Sequence, residues 1–351
     1  MNVLIATFQA GGGSQPALGI GRLLAERGHS VRILAPAAYA ARVTAGGCEP
    51  RPLPPEAEFD VAGGRAMEDQ RAFLGELFFG EALPDALAAE LAAEPADVLV
   101  VDYLLQSLVH RAEQLPPPHV LLVHTIRSFN ADDDTDALIR NAAGTLVAIP
   151  SEFDCWPDPP AGVVHVGWIT EASPAASWDS PWPAGDDRPL VVVSMGTTYM
   201  HQEDVLARIA LADAGLDARV LILTGLELAP EEVGSLPGVE VRGYVPHSAV
   251  LRDAALVVTH AGTGTLLAAF SAGVPAVCVP LGRDQRHNAR RVEELGLGVA
   301  LPTDAPATEI GAALTAALAS TALRDEAQRM GDAIRAYGGG VRAVAELERL
   351  G

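Results

Sequence analysis

The stretch Val257–Gly298, VVTHAGTGTLLAAFSAGVPAVCVPLGRDQRHNARRVEELGLG, restricts the possible folds more than any other part of the chain. It reads as a strand, the turn His260-Ala-Gly-Thr-Gly-Thr265, a helix, a second strand at Ala276–Val279, and then Arg283-Asp284-Gln285. A small-residue turn at a helix start exposes unpaired backbone N–H groups and the positive end of the helix dipole. That geometry suits a phosphate or diphosphate. The Asp-Gln pair emerges after the next strand, where its polar groups can reach sugar hydroxyls. A diphosphate site beside a sugar reader implies a nucleotide-sugar ligand.

Strand and helix signals alternate along the rest of the chain. VLIATF near the N-terminus leads to a helical stretch from Pro16 to Arg27 and a short strand at Ser30–Leu34. Val98–Val101 and Val120–Val123 are strand-like, with a helical stretch between them. Ala62–Ala93 is helical in composition and carries Phe73, Leu77, Phe78 and Phe79, which either pack on the sheet or line an apolar pocket. Gly167–Pro189 is rich in Pro, Ser, Ala and Asp, has no sustained period, and reads as a linker. Strands then resume at Leu190–Val193, Arg219–Leu223, Val239–Val241 and Leu256–Thr259. After Thr308 the pattern is helical to the end, broken at Gly338-Gly-Gly340. This alternation predicts an α/β protein with two Rossmann-like parallel-sheet domains, residues 1–166 and 190–337. Ligands of open parallel sheets bind at the carboxyl ends of the strands, so a ligand in a cleft between two such halves would meet loops from both.

Composition narrows the function classes. A formal net charge of -21 argues against binding to nucleic acid or to anionic membranes, which needs clustered positive charge. All 24 basic residues are Arg, so neither a lysine Schiff base nor a Walker lysine is available. Arg283, Arg286, His287, Arg290 and Arg291 gather just after the sugar-reader loop, either as a solvated helix face or as phosphate steering. No apolar run approaches membrane-spanning length. The chain opens on MNVLIATF with no basic region before it, so no signal peptide is expected. Three unclustered cysteines, Cys48, Cys155 and Cys278, suit the reduced thiols of a cytoplasmic protein and have no metal-ligand spacing.

Three motifs together carry a family resemblance: Gly243-Tyr-Val-Pro-His247, His260-Ala-Gly-Thr-Gly-Thr265 and Asp284-Gln-Arg-His-Asn288. At these spacings the second half of the chain resembles the nucleotide-binding half of GT-B-fold glycosyltransferases. The group is the UDP-glycosyltransferase (family 1) group, which includes bacterial enzymes that glycosylate antibiotics and other natural products. The resemblance implies that Tyr244 stacks on the nucleobase, an interaction worth about 1–3 kcal/mol per base in nucleic-acid complexes. It further implies that the Val245 backbone bonds the base edge and that His247, where Gln is usual, reaches the ribose. His260, Gly262, Thr263, Gly264 and Thr265 would hold the pyrophosphate. Asp284 and Gln285 would read the sugar, with Asn288 close behind. The turn containing Ser194, Gly196 and Thr197 would face the donor from the other side. Ala268 stands where many relatives have a ribose-binding Glu, which makes dTDP-sugars acceptable beside UDP-sugars. The helix after Gly338 is expected to pack back on the first domain, which would bind the acceptor.

Inverting transfer also needs a base for the acceptor hydroxyl and stabilisation of the leaving phosphate. The family's usual base sits in the first glycine-rich loop, three residues before a Pro. Here that loop is Gly11-Gly-Gly-Ser-Gln-Pro16 and the position is Gly13, so the usual base is missing. Gly12, Gly13 and Ser14 remain candidates for approach to the donor. Asp102 ends one strand and His124 follows another. Either Asp102 alone, or His124 with Asp102 as its orienter, would supply the base, against a reading of helix cap and hydrogen-bonded histidine. Asp132-Asp-Asp134 and Asp136 read as a helix cap in preference to a metal site.

The expected protein is a metal-independent, cofactor-free cytoplasmic glycosyltransferase, monomeric or homodimeric. It would use a dTDP- or UDP-sugar and a small hydrophobic aglycone, with Phe73, Leu77 and Phe78 as candidate acceptor contacts. The alternatives are a GT-B-fold nucleotide-sugar epimerase and a catalytically impaired nucleotide-sugar-binding or auxiliary protein, the latter favoured by Gly13.

Overall fold

A computed structural model describes residues 1–8, 11–58, 73, 75–171, 177–196, 200–212, 216–225, 228–233 and 238–351. The chain divides into two compact units, Met1–Glu171 with Tyr337–Gly351, and Ala172–Ala336.

In the first unit seven strands form one all-parallel sheet. They are β1 (Asn2–Ala6), β2 (Ser30–Ala35), β3 (Glu49–Pro52), β4 (Val98–Asp102), β5 (His119–Val123), β6 (Gly144–Val147) and β7 (Val163–His165), in the order β3-β2-β1-β4-β5-β6-β7. Successive strand side chains point to opposite faces, so a near-continuous apolar run builds two cores at once. Val3, Ile5, Val98, Val100, Val120 and Leu122 face one core, where helices Gln15–Glu26 and Gly340–Glu348 pack through Ile20, Leu24, Val344 and Leu347. Leu4, Ala6, Leu99, Val101 and Leu121 face the other, against helices Ala82–Ala93 and Gln106–Ala112. Residues 75–79 are helical as well, and 59–72 with 74 fall outside the described residues.

Arg32 in β2 is almost fully buried, yet its charge is matched. One guanidinium nitrogen lies 2.6 Å from Glu90 Oε1 and the other donates to the Glu94 carbonyl at 2.8 Å. The chain re-enters this unit at Tyr337, whose hydroxyl contacts Ser151 Oγ at 2.6 Å and Glu152 at 2.8 Å.

The second unit is a six-stranded all-parallel sheet. Its strands are β8 (Leu190–Ser194), β9 (Arg219–Leu223), β10 (Val239–Arg242), β11 (Ala254–Thr259), β12 (Ala276–Cys278) and β13 (Gly298–Ala300), in the order β10-β9-β8-β11-β12-β13. Val191, Val193, Val220, Ile222, Leu256, Val258 and Val277 line one core with helices Glu203–Ala212 and Ala307–Ala319. Residues 177–189 have no helix or strand but are anchored in this unit. The Trp178 indole donates to Asp253 at 2.9 Å, and the Arg242 and Arg219 guanidinium groups lie over Trp178 and Trp182.

In each sheet the strand order reverses once, between β1 and β4 and between β8 and β11. Loops leaving the carboxyl ends of adjacent strands diverge at such a point and leave a crevice there.

Candidate active site

At the reversal in the second unit, Ser194 ends β8 and pairs in register with Thr259, which ends β11. His260 follows directly. Its ring lies against two glycines: a Cβ on Gly196 would sit 2.8 Å from Cε1, and one on Gly262 would sit 2.5 Å from Nε2. Gly196 also has φ +94, which a side chain would strain. Both positions therefore require glycine if the ring is to occupy this place. Ala261 between His260 and Gly262 is left-handed, with φ 68 in a fully buried residue. Left-handed backbone costs a non-glycine residue about 1–2 kcal/mol.

Gly262 caps helix Thr263–Ser271, whose first intrahelical bond runs from Leu266 N to the Gly262 carbonyl at 3.1 Å. The N–H groups of Thr263, Gly264 and Thr265 thus occupy the first turn, at the positive end of the helix dipole. Thr265 is buried and Thr263 and Gly264 are half-buried.

Asp284 is tied to this turn from the next loop. The Thr263 hydroxyl donates to Asp284 Oδ2 at 3.0 Å. The fully buried Asn288 amide donates to Asp284 Oδ2 at 2.8 Å, Thr263 Oγ1 at 3.1 Å and the Ala261 carbonyl at 2.9 Å. Its Oδ1 is buried and has no hydrogen-bond partner among the described residues. Asn288 therefore clasps the strained Ala261 turn to Asp284. Gln285 is buried too; its Oε1 accepts from the Leu281 and Gly282 amides at 2.7 and 2.9 Å, so it shapes the loop that carries Asp284. Of the arginine group, Arg290 and Arg291 pair with Glu294 at 2.9 and 3.4 Å.

Burial pushes both histidines of this site to about 4. His247 lies with Nε2 3.0 Å from Ser194 Oγ. For His260, the Asp284 carboxylate and a hydrogen bond to the Ser194 backbone pull the value up, while Arg283 and His247 push it down. Both rings are neutral near pH 7. Tyr244 projects at 56% exposure from the turn after β10, and Val245 beside it is half-buried. Thr197 lies outside the described residues.

At the reversal in the first unit, residues Gly11–Ser14 form a single 3-10 turn that opens helix Gln15–Glu26. Gly12 and Gly13 are half-buried, and the buried Ser14 hydroxyl donates to Tyr39 at 3.3 Å. Asp102 ends β4 with its carboxylate fully buried; it accepts from the Leu104 amide at 3.1 Å. His124, the residue after β5, places Nε2 3.1 Å from both Asp102 oxygens. Donation from Nε2 to the carboxylate makes Nδ1 the acceptor nitrogen of the neutral ring.

Three side chains that the sequence reading did not single out brace this pair. The Tyr103 ring packs edge-on against His124, with centroids 5.6 Å apart. The Tyr103 hydroxyl bonds Thr125 Oγ1, which also accepts from Asn130 Nδ2 at 3.3 Å. Tyr103 and Thr125 adjoin Asp102 and His124 in sequence, and that adjacency was the available signal. A further buried pair, Asp154 and His165 at 3.0 Å, fixes the backbone beyond: Asp154 Oδ1 accepts from the Arg127 amide at 2.7 Å.

Leu77 is a core residue of the first unit, Phe73 packs on that core, and Phe78 is half-buried. Asp132 caps helix Asp133–Asn141 by accepting from the Thr135 amide at 2.7 Å, and Asp136 pairs with Arg127. Among the described residues no three His, Cys, Asp or Glu side chains converge to hold a metal ion, and no helix is long and apolar enough to cross a membrane.

Known proteins share this architecture. Residues 207–349 match the family described as erythromycin biosynthesis protein CIII-like, C-terminal domain. Demethyllactenocin mycarosyltransferase of Streptomyces fradiae is 33% identical over 186 residues, 52% of this chain and 40% of the relative. The chain thus covers well under half of that relative's length. Oleandomycin glycosyltransferase of Streptomyces antibioticus is 26% identical over 99% of this chain and 90% of its own. Among solved structures, the calicheamicin glycosyltransferase CalG4 superposes with a TM-score of 0.78 at 26% identity, covering 99% of this chain and 97% of that one. Glycosyltransferase VinC in complex with dTDP has the same fold, with a TM-score of 0.77 at 20% identity over 100% and 99% of the two chains.

Two parallel-sheet units of seven and six strands, each with its polar residues at the strand-order reversal, define a protein of the GT-B fold. Within that class, the chain is similar to bacterial natural-product glycosyltransferases, over residues 207–349 by family and over nearly its whole length to the oleandomycin and calicheamicin enzymes.

Proposed function

We propose that this chain moves a sugar, with inversion and without a metal, from a dTDP- or UDP-sugar to a small hydrophobic natural-product acceptor. The observation that carries the reading is the strained turn at Ala261. It is held between the His260 ring and the helix start and tied through Asn288 to Asp284. Backbone N–H groups at a helix start fit a diphosphate, and a carboxylate fixed beside them fits sugar hydroxyls.

In this reading residues 190–337 form the donor domain. Tyr244 stacks on the base, the Val245 backbone bonds its edge, and His247 lies toward the ribose. His260, Gly262, Thr263, Gly264 and Thr265 hold the diphosphate, with Ser194 and Gly196 opposite. Asp284 reads the sugar, on a loop shaped by Gln285. Stabilisation of the leaving diphosphate comes from the same N–H groups that bind it.

Residues 1–166 form the acceptor domain, with Phe73, Leu77 and Phe78 on its apolar side and Gly12, Gly13 and Ser14 at its first loop. Gly13 supplies no base. His124 takes the acceptor proton on Nδ1, and the buried Asp102 carboxylate holds the ring and stabilises the imidazolium that forms. A positioned base contributes about 10²–10⁴-fold in rate. The enzyme works in the cytoplasm.

Calorimetric titration with UDP and dTDP tests the donor half. One nucleotide is expected to bind, and His260→Ala and Tyr244→Ala are expected to weaken it. In an acceptor screen, Asp102→Asn and His124→Gln are expected to lower turnover without changing nucleotide affinity. Absence of binding by both nucleotides overturns the reading.

A further inference from the structure

His260 meets a constraint of proton counting. A neutral imidazole carries one ring proton. The backbone of Ser194 engages the ring in a hydrogen bond that favours the protonated form, so the ring donates to the Ser194 carbonyl. Thr259 Oγ1 lies 3.3 Å from Nδ1, and Nε2 is packed beside Gly262 at the helix start. With its single proton committed to Ser194, the neutral ring can present only a lone pair to a phosphate oxygen. A lone pair and an anion repel. A second ring proton turns that contact into a charge-assisted hydrogen bond.

We propose that His260 engages the donor's diphosphate as an imidazolium, taking up one proton from solvent as the donor docks. The inference rests on the nucleotide-diphosphate reading of the site. In the free protein the ring is neutral, because burial outweighs the one favourable carboxylate. The charged and titratable groups that face it are Asp284, which favours the proton, and Arg283 and His247, which oppose it. Asp284 is already engaged with Thr263 and Asn288. Two negative charges of a diphosphate at contact distance favour the charged ring, against the burial that holds it neutral and the positive charge of Arg283. The free ring sits at about 4. From there up to the value in the complex, each bound donor carries one extra proton. Affinity then falls tenfold for each unit rise in pH.

The experiment is calorimetric titration with UDP-glucose and dTDP-glucose from about pH 5 to about pH 8, in buffers of different ionisation enthalpy. These probes are esterified at both ends of the diphosphate and bring no titrating phosphate of their own. The expected result is uptake of close to one proton in the lower part of this range. Log affinity should fall with a slope near -1 against pH. His260→Gln, which keeps an N–H but cannot take a charge, is expected to bind with no slope and no uptake. Binding with pH-independent affinity and no proton uptake in the unaltered protein overturns the proposal and leaves the site reading intact. Uptake that survives in His260→Gln and disappears in His247→Gln assigns the proton to His247 and overturns it as well. Absence of heat with both probes removes the site reading, and the proposal with it.

Discussion

Asn288→Ala is expected to cost little stability and much affinity. The Asn288 amide has two hydrogens shared among three acceptors, one of them the Asp284 carboxylate. A hydrogen bond to a charged group contributes about 1.5–3 kcal/mol and a neutral one about 0.5–1.5 kcal/mol, so the gross loss is about 3 kcal/mol. Against this, the substitution removes the orphaned Oδ1, whose burial costs about 1–3 kcal/mol. The net destabilisation of the second unit is then about 0–2 kcal/mol. Affinity responds differently. Ala261 holds a conformation that costs about 1–2 kcal/mol. Without the amide on its carbonyl, that cost falls on the ligand, and nucleotide binding weakens about five- to thirtyfold. Calorimetry reads the affinity, and hydrogen exchange of β11 and β12 reads the local stability without assuming that both units unfold together. The companion variant Ala261→Gly makes the left-handed turn free of strain, so the double variant is expected to regain most of the lost affinity. Unchanged binding in Asn288→Ala, or no recovery in the double variant, refutes the clasp.

Tyr244→Ala is expected to leave stability within about 0.5 kcal/mol, because the ring is exposed. It is expected to weaken nucleotide binding about five- to 150-fold by the loss of a stacking surface. Leu347→Ala in the Gly340–Glu348 helix removes a fully buried side chain from the first unit's core, for a loss of about 2–5 kcal/mol read by denaturation. Acid unfolding of the second unit follows its histidines. His247 and His260 lie at about 4 when folded against 6.5 as free groups. Above 6.5 both states are neutral. As pH falls the unfolded chain takes up protons first, so stability is expected to decline between pH 6.5 and about 4, a decline that His247→Gln reduces.

Much of the fold is visible in the chain because central parallel strands are apolar on both faces. VLVV at 98–101 and LVVV at 190–193 can be little else. The strands that escape such reading are short and mostly peripheral. β3 is Glu-Pro-Arg-Pro, and proline is tolerated only because β3 is an edge strand. β7 and β13 have three residues each and lie at sheet edges, while β6 has four and opens on glycine. In the candidate donor site, spacing along one continuous stretch points to the turn and the carboxylate. It does not say that the amide of Asn288 and the oxygen of Gln285 point inward to bind backbone, since that direction depends on loop geometry. The Tyr103, Thr125 and Asn130 brace is hidden for a related reason. Its members are ordinary core and loop residues until β4 and β5 are paired.

The first unit is interrupted in sequence. Its core takes Ala343, Val344 and Leu347 from the far end of the chain, after all of Ala172–Ala336. On the ribosome the residues of the second unit have therefore all emerged before the first has its full set of contacts. The earlier-made unit must wait with its Val3, Ile5 and Val98 face only partly covered, by helix Gln15–Glu26, until residues 340–348 arrive. Domains of this size generally fold as units during synthesis. The first unit thus completes its core only after the second has been made, and the place left for residues 340–348 stays open to water in the meantime.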